Sequence, residues 1–137
     1  MSTETKIAVG QELPPLALPP VDRTMLFLFG GASGDHNPIH IDIDFARKAG
    51  MPDIFAHGML GMAWMGRLLT RWAPQAKLRK FDARFQGITH LGNAITVTGK
   101  VTAIAEVNGE RCATIALANT NQYGQVKIVG EALVAIG

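Results

Sequence analysis

From Ile95 onward the chain alternates. Ile95, Val97, Gly99, Val101, Ala103, Ala105 and Val107 are interleaved with Thr96, Thr98, Lys100 and Thr102, the period of two that marks a half-buried strand. Asn108-Gly109 then gives a hairpin signal, and the returning strand runs from Arg111 to about Asn121. After a turn at Tyr123-Gly124, a second alternation follows through Val126, Ile128, Gly130, Ala132, Val134 and Ile136. With Lys80 to Thr89 these segments predict four antiparallel strands, read as a meander. The stretch before them has a different rhythm. From Gly58 to about Trp72, Met59, Leu60, Met62, Ala63, Trp64, Met65, Leu68, Leu69 and Trp72 leave almost no polar face, which predicts a helix buried on every side. Arg67 and Arg71 fall near its C-terminal end, where the helix dipole favours cations.

Upstream, four prolines between Gln11 and Val21 (Pro14, Pro15, Pro19 and Pro20) predict extended chain, at best an edge strand. Asp22 or Thr24 offers an N-cap for a short helix through Met25 to Phe29, ended by Gly30-Gly31. Asp44 offers a cap for a second, Phe45 to Ala49, with Gly50 as its stop. Met51-Pro52-Asp53 is a turn. The whole predicts one α+β domain over residues 1–137, an antiparallel sheet wrapped around one long central helix. Four or five strands cover only one side of that helix; the short helices or a second subunit would cover the rest, and a dimer is expected.

Composition narrows the possibilities. The chain is 47% hydrophobic and 18% charged, an ordinary globular balance. A formal net charge of +2, without basic runs or aromatic RNA-binding motifs, argues against nucleic acid. The lone Cys112 excludes a disulfide framework within the chain. Residues Met1 to Val9 lack the apolar core of a signal peptide, and no apolar run reaches the length of a membrane span. A cytoplasmic protein is the default expectation.

The candidate chemistry lies in Ser33-Gly34-Asp35-His36-Asn37-Pro38-Ile39-His40. On a helix Asp35 and His40 would sit about 140° apart, but Pro38 opposes helix and makes the segment a shaped loop. There a carboxylate and an imidazole can share one water or one substrate atom, as acid and base. The competing reading is a polar turn capped by its own Asp and Asn. A second half follows at His57-Gly58-Met59. The first N–H groups of a helix have no internal acceptors and sit at its positive end. Glycine lets a carbonyl approach them, as in an oxyanion hole; alternatively Gly58 serves helix–sheet packing and His57 caps the chain. From Gly58 the same face continues through Met62, Gly66 and Leu69, a wall for an acyl chain or simply core. Arg67, Arg71, Lys77, Arg79, Lys80 and Arg84, against only Asp82, form a basic cluster that either attracts an anionic carrier or is a solvated face. His36 and His40 are four apart near Asp35, Asp42 and Asp44, but Pro38 spoils the helical zinc spacing, so no metal or other cofactor is expected. Ser33 lacks the strand-to-helix elbow of a serine nucleophile.

Together, Ser33-Gly34-Asp35-x-Asn37-Pro38-Ile39-His40, His57-Gly58-Met59 and Arg84-Phe85 resemble the MaoC-like hydratase/dehydratase family, which includes (R)-specific enoyl-CoA hydratases. The likeness runs from Asp22 through the strands. It implies a hot-dog fold, in which a sheet wraps a central helix and two subunits join, here as a homodimer. It also implies that Asp35 and His40 hold a catalytic water, and that the Gly58 N–H binds the thioester carbonyl. Ser33, Asn37, Pro38 and His57 would orient the loop. The implied reaction is hydration of a trans-2-enoyl thioester, on CoA or acyl-carrier protein, or its reverse. A proline and a Gly-Asp commonly follow Arg84-Phe85 in that family; here Gly87-Ile88-Thr89-His90-Leu91-Gly92-Asn93 stands instead. The alternatives are a non-catalytic acyl-thioester-binding subunit of a heterodimer, and a hot-dog thioesterase with its acid or nucleophile elsewhere.

Overall fold

A computed structural model describes residues 6–137; Met1 to Thr5, part of the N-terminal segment discussed above, lie outside the described residues. The elements are β1 (Leu16–Ala17), α1 (Arg23–Ser33), α2 (Ile43–Lys48), α3 (Gly58–Trp72), β2 (Leu78–Phe85), β3 (Thr96–Val107), β4 (Glu110–Thr120) and β5 (Val126–Ala135). They make a five-stranded antiparallel sheet of order β1-β3-β4-β5-β2, curled around α3. Thus β3, β4 and β5 form a meander, but β2 joins at the far side of β5 instead of beside β3. None of the described helices is long and apolar enough to cross a membrane.

The proline-rich segment forms one edge, as its composition requires. Residues between the prolines supply the donors: Leu13 N–H bonds to the Gly99 carbonyl and Leu18 N–H to that of Ile95, both at 2.8 Å. Asn108 (φ 51°) and Gly109 (φ 81°) occupy the left-handed positions of the β3–β4 hairpin, which that dipeptide favours.

Four local readings change. The helix α1 does not stop at Gly30-Gly31; it continues to Ser33 and ends on Gly34 at φ 75°. Gly30 serves proximity, since a Cβ there would lie 3.4 Å from the Asp35 carbonyl oxygen and 3.7 Å from the His57 ring. The cap of α2 is Asp42, not Asp44, because the Asp42 carboxylate accepts from the N–H groups of Asp44 and Phe45. In β3 the alternation breaks at Thr102, where the register against β4 slips by one residue. Beyond this bulge the inward phase flips: Ile104 packs on the core, while Ala103 and Ala105 are exposed. The first strand after α3 also ends at Phe85, and the chain to Asn93 forms a loop.

A fifth correction concerns α3. Within one chain Leu60, Gly61, Trp64, Met65, Leu68 and Leu69 are buried, one stripe at helical spacing. Met59 is 56% exposed, and Ala63, Arg67, Thr70 and Arg71 are also exposed. The buried stripe meets Val97, Val101, Ile115, Leu117, Ile128, Ala132 and Val134 from the sheet.

The spacing between helix and sheet leaves no slack at β5. A Cβ on Gly130 would lie 2.8 Å from the Asp82 carbonyl oxygen of β2 and 3.1 Å from the Met65 sulfur of α3. Gly130→Ala should therefore cost about 1–3 kcal/mol of stability, the usual range for an overpacked core. Urea unfolding followed by circular dichroism measures it, and a wild-type midpoint would show that strand and helix can separate freely.

Candidate active site

The site begins where α1 ends. Gly34 turns the chain with its N–H on the Gly30 carbonyl, 3.1 Å away. A ladder of short polar contacts then shapes the loop. The Ser33 hydroxyl accepts from Asp35 N–H (3.2 Å), the Asp35 carboxylate from Asn37 N–H (3.3 Å), and the Asn37 amide oxygen from Ile39 N–H (3.1 Å). Asn37 thereby caps a single 3-10 turn, Pro38–His40, and Pro38 sits in the first turn, where no N–H is needed. The polar-turn reading holds, and it leaves the catalytic reading open. The backbone is capped, and the turn carries His40 inward, to 8% exposure, while Asp35 stays at the surface.

His40 Nδ1 lies 2.8 Å from the Phe55 carbonyl oxygen. A carbonyl only accepts, so Nδ1 carries the proton and, in the neutral ring, Nε2 keeps its lone pair. His57 packs behind it, 1% exposed, with ring centroids 4.0 Å apart and planes 29° apart. His57 Nε2 donates to the Asp35 carbonyl at 3.2 Å. Its Nδ1 is buried without a partner. The edge of Phe29 meets the His57 ring at a centroid distance of 4.9 Å. Burial, and then the neighbouring His40, hold His57 below the ordinary histidine range, against the smaller pull of Asp35.

A carboxylate oxygen of Asp35 and ring nitrogens of His40 and His57 lie within 4.8 Å of one another. Two hydrogen bonds of ordinary length meeting at one water span about that distance. The same three groups form a carboxylate–imidazole donor set that a divalent cation could use. The stacking opposes it, because nearly parallel rings direct their lone pairs side by side instead of toward one centre. His36 is exposed and is not among these three groups, so the metal pair weighed from the sequence does not assemble.

Gly58 is the first residue of α3, and no side chain caps the helix. It opens on a cavity of about 170 Å³ lined by Phe55, His57, Gly58, Phe85, Ile88 and Ile128, among others. The Phe85 ring lies over the glycine, 3.1 Å from where a Cβ would be. The loop after β2 closes the far wall and is pinned by Ala56 N–H to the Thr89 carbonyl at 2.9 Å. A larger cavity, about 610 Å³, lies at the opposite end of α3 near Trp72, Pro74, Lys77 and Ile136; none of the candidate groups reaches it, so size does not locate the site.

Of the three residues read as an acyl wall, none lines the Gly58 cavity. Met62 is half-buried, Gly66 faces the Phe81 ring 3.6 Å from its would-be Cβ, and Leu69 is 2% exposed in the core. The basic cluster is partly neutralised: Arg79 pairs with Glu110 through two 2.9 Å contacts, and Lys80 lies 3.7 Å from Asp82. The stacking of His57 on His40 and the phenylalanine over Gly58 had no signal in sequence spacing, since both join residues from separate elements.

Known proteins resemble this chain in sequence and in fold. An (R)-specific enoyl-CoA hydratase of Rhodospirillum rubrum is 30% identical over 122 residues, 85% of this chain and 80% of that protein. A mitochondrial 3-hydroxyacyl-[acyl-carrier-protein] dehydratase of Arabidopsis thaliana is 34% identical over 77 residues, 56% of this chain and 45% of its own length. Among solved structures, the (R)-hydratase from A. caviae involved in PHA biosynthesis superposes with a TM-score of 0.82 at 25% identity, covering 97% of this chain and 99% of that one. The model of the MaoC like domain matches residues 5–122. With a sheet curled about one helix, and the loop and helix start meeting at its end, the chain belongs to the MaoC-like family and has its hot-dog fold.

Proposed function

We propose that this protein adds water to trans-2-enoyl thioesters, giving (R)-3-hydroxyacyl thioesters, or catalyses the reverse. The observation that carries this is the approach of Asp35 to His40 within one water's span, with His40 Nδ1 committed to Phe55 and Nε2 left to act as base. The water attacks C3 of the enoyl group and loses one proton to His40 or Asp35. The pair then returns a proton to C2 on the same face, so H and OH add across the double bond. In between, negative charge builds on the thioester oxygen as an enolate, and the Gly58 N–H stabilises it at the positive end of α3. His57 is a positioning residue: it ties the Asp35 backbone to the His40 ring. Ser33, Asn37 and Pro38 hold the loop that presents the carboxylate. The acyl chain would extend from the Gly58 cavity along Met62 and Gly66 toward Leu69, displacing the Phe81 ring.

A homodimer fits this reading. The edge of β2 opposite β5 pairs with no other described strand, and the exposed side of α3 lies beside it through the Gly66–Phe81 and Gly58–Phe85 contacts. A second copy joining there would cover both. A silent acyl-thioester-binding subunit would have no chemical need for an ordered carboxylate–imidazole pair, and a thioesterase would need its nucleophile elsewhere. Either CoA or acyl-carrier protein as carrier is consistent with this reading, and the cytoplasm is the expected compartment.

With crotonyl-CoA as substrate, Asp35→Asn or His40→Ala should lower kcat by at least about 10²-fold, the low end for acid–base catalysis. Loss of the enone absorbance follows the reaction; wild-type rates in a folded variant would favour the silent-subunit reading. Gly58→Pro removes the oxyanion donor and should cost roughly 10² to 10³ in kcat. Proline suits the first helical position, and His57 at ψ 137° already has the backbone a following proline requires. Undiminished turnover by that variant would remove Gly58 from the mechanism.

The lowered pKa of His57 has a stability consequence. Below about pH 6.5 the unfolded chain protonates this histidine while the folded one resists, so the unfolded state binds more protons and stability falls with pH. The thermal midpoint of the wild type should decline between about pH 7 and pH 5.5, and less steeply in His57→Gln. Parallel curves would mean that His57 does not resist protonation.

A further inference from the structure

The end of the sheet nearest Gly58 carries a lysine that this chemistry does not use. Lys127 on β5 is 8% exposed, yet its ammonium forms no ion pair or hydrogen bond among the described residues. The covered part is the stem; Nζ is not among the buried atoms without a partner, so the ammonium reaches water at a fixed place, free to meet an anion. Its stem runs along Gly87: a Cβ there would lie 3.3 Å from Lys127 Cδ and 3.8 Å from Nζ. The other side of Gly87 is wall of the cavity on which Gly58 opens, and Ile128, the next residue, lines that cavity from the inner face. Gln86 and Gly87 both donate N–H to the Lys127 carbonyl, at 2.9 and 3.1 Å, so lysine and cavity wall are held together.

A second unpaired cation stands beside it. Arg84 is opposite Val129, two residues from Lys127, where the register of β5 against β4 slips, and it too makes no ion pair among the described residues. Two acids, Asp82 and Glu131, are opposite each other one step farther from the cavity, and Asp82 is within 3.7 Å of Lys80. The two cations without ion pairs thus stand nearer the cavity end of β2 and β5 than the two acids do.

We infer that Lys127, with Arg84 beside it, binds the phosphate of the phosphopantetheine arm that presents the thioester to Gly58. The inference rests on the hydratase reading above. That phosphate is common to CoA and acyl-carrier protein, separated from the thioester by the length of the arm, and a lysine ammonium is a suitable point charge for it.

Steady-state kinetics on crotonyl-pantetheine, crotonyl-4′-phosphopantetheine and crotonyl-CoA test it. Lys127→Met keeps the stem over Gly87 and removes the charge. It should raise KM for the two phosphorylated substrates at least about tenfold, the effect of one lost charge-assisted hydrogen bond, with kcat held and KM for crotonyl-pantetheine moved less than about twofold. Lys127→Arg should recover most of the loss. Wild-type preference between crotonyl-CoA and crotonyl-acyl-carrier protein identifies the source of the phosphate, and the loss must appear on the preferred one. An equal change on all three small thioesters, a change confined to CoA, or none would overturn the assignment. Calorimetric binding of CoA to wild type and Lys127→Met keeps it separate from the hydratase reading. Absent turnover with a tenfold affinity difference would sink the reaction and leave the phosphate site standing; equal affinities would sink the site.

Discussion

One buried imidazole joins the three parts of the site. His57 donates to the backbone of Asp35, stacks on His40 and meets the edge of Phe29, so the end of α1, the 3-10 turn and the start of α3 converge on its ring. The relation of carboxylate to imidazole follows from this. Asp35 and His40 belong to a loop whose internal hydrogen bonds fix its local shape but not its place against the helix. The His57 contacts supply that placement, and Gly30 permits it by leaving room for the ring against α1. The cost is an unsatisfied buried nitrogen. Burial and the neighbouring His40 both lower the His57 pKa, which disfavours a positive charge beside the ring proposed as the base.

Much of this was legible in the sequence, for identifiable reasons. Period-two alternation located β3 to β5 because one sheet face is buried against α3 and the other is solvated. Asn108-Gly109 located the hairpin because few other dipeptides take two left-handed residues cheaply. The Asp35–His40 spacing around Pro38 implied a shaped loop, and Asn37 caps one. Elsewhere local signals were outweighed by contacts that spacing cannot encode. Gly30-Gly31 reads as a stop, yet α1 continues, since what Gly30 supplies is space for His57 and the Asp35 carbonyl. Thr102 reads as an ordinary outward residue and is the bulge that turns the end of β3. The helix seemed apolar all round because methionine, alanine and glycine count as apolar whether or not the same chain covers them.

Charge shows the same limit. Clustering along the sequence singled out residues 67 to 84, but Arg79 is spent on Glu110 and Lys80 lies near Asp82. A cation that touches the cavity wall is Lys127, at Gly87, some forty positions farther along the chain and made adjacent by the pairing of Phe85 with Ile128. Strand register, not sequence proximity, decides which charges share a face.

The local rules of good folding are broken mostly where the chemistry is placed. The helix α3 begins without a side-chain cap, an omission worth about 0.5–2 kcal/mol. Among the described residues the two buried side-chain atoms without partners are His57 Nδ1 and Asn119 Oδ1. Both border the first turns of that helix, Asn119 through its other amide atom on the Gly61 carbonyl at 3.0 Å. Each such orphan costs about 1–3 kcal/mol. The middle of the same helix offsets this: Met65, Leu68 and Leu69 are at most 2% exposed, each buried side chain of this kind contributing about 1.5–3 kcal/mol. A helix anchored by its middle keeps its N-terminus in place without a cap, and an uncapped N–H held in place is what a developing oxyanion requires. The stability of the core and the reactivity of the site are thus two ends of one rigid element.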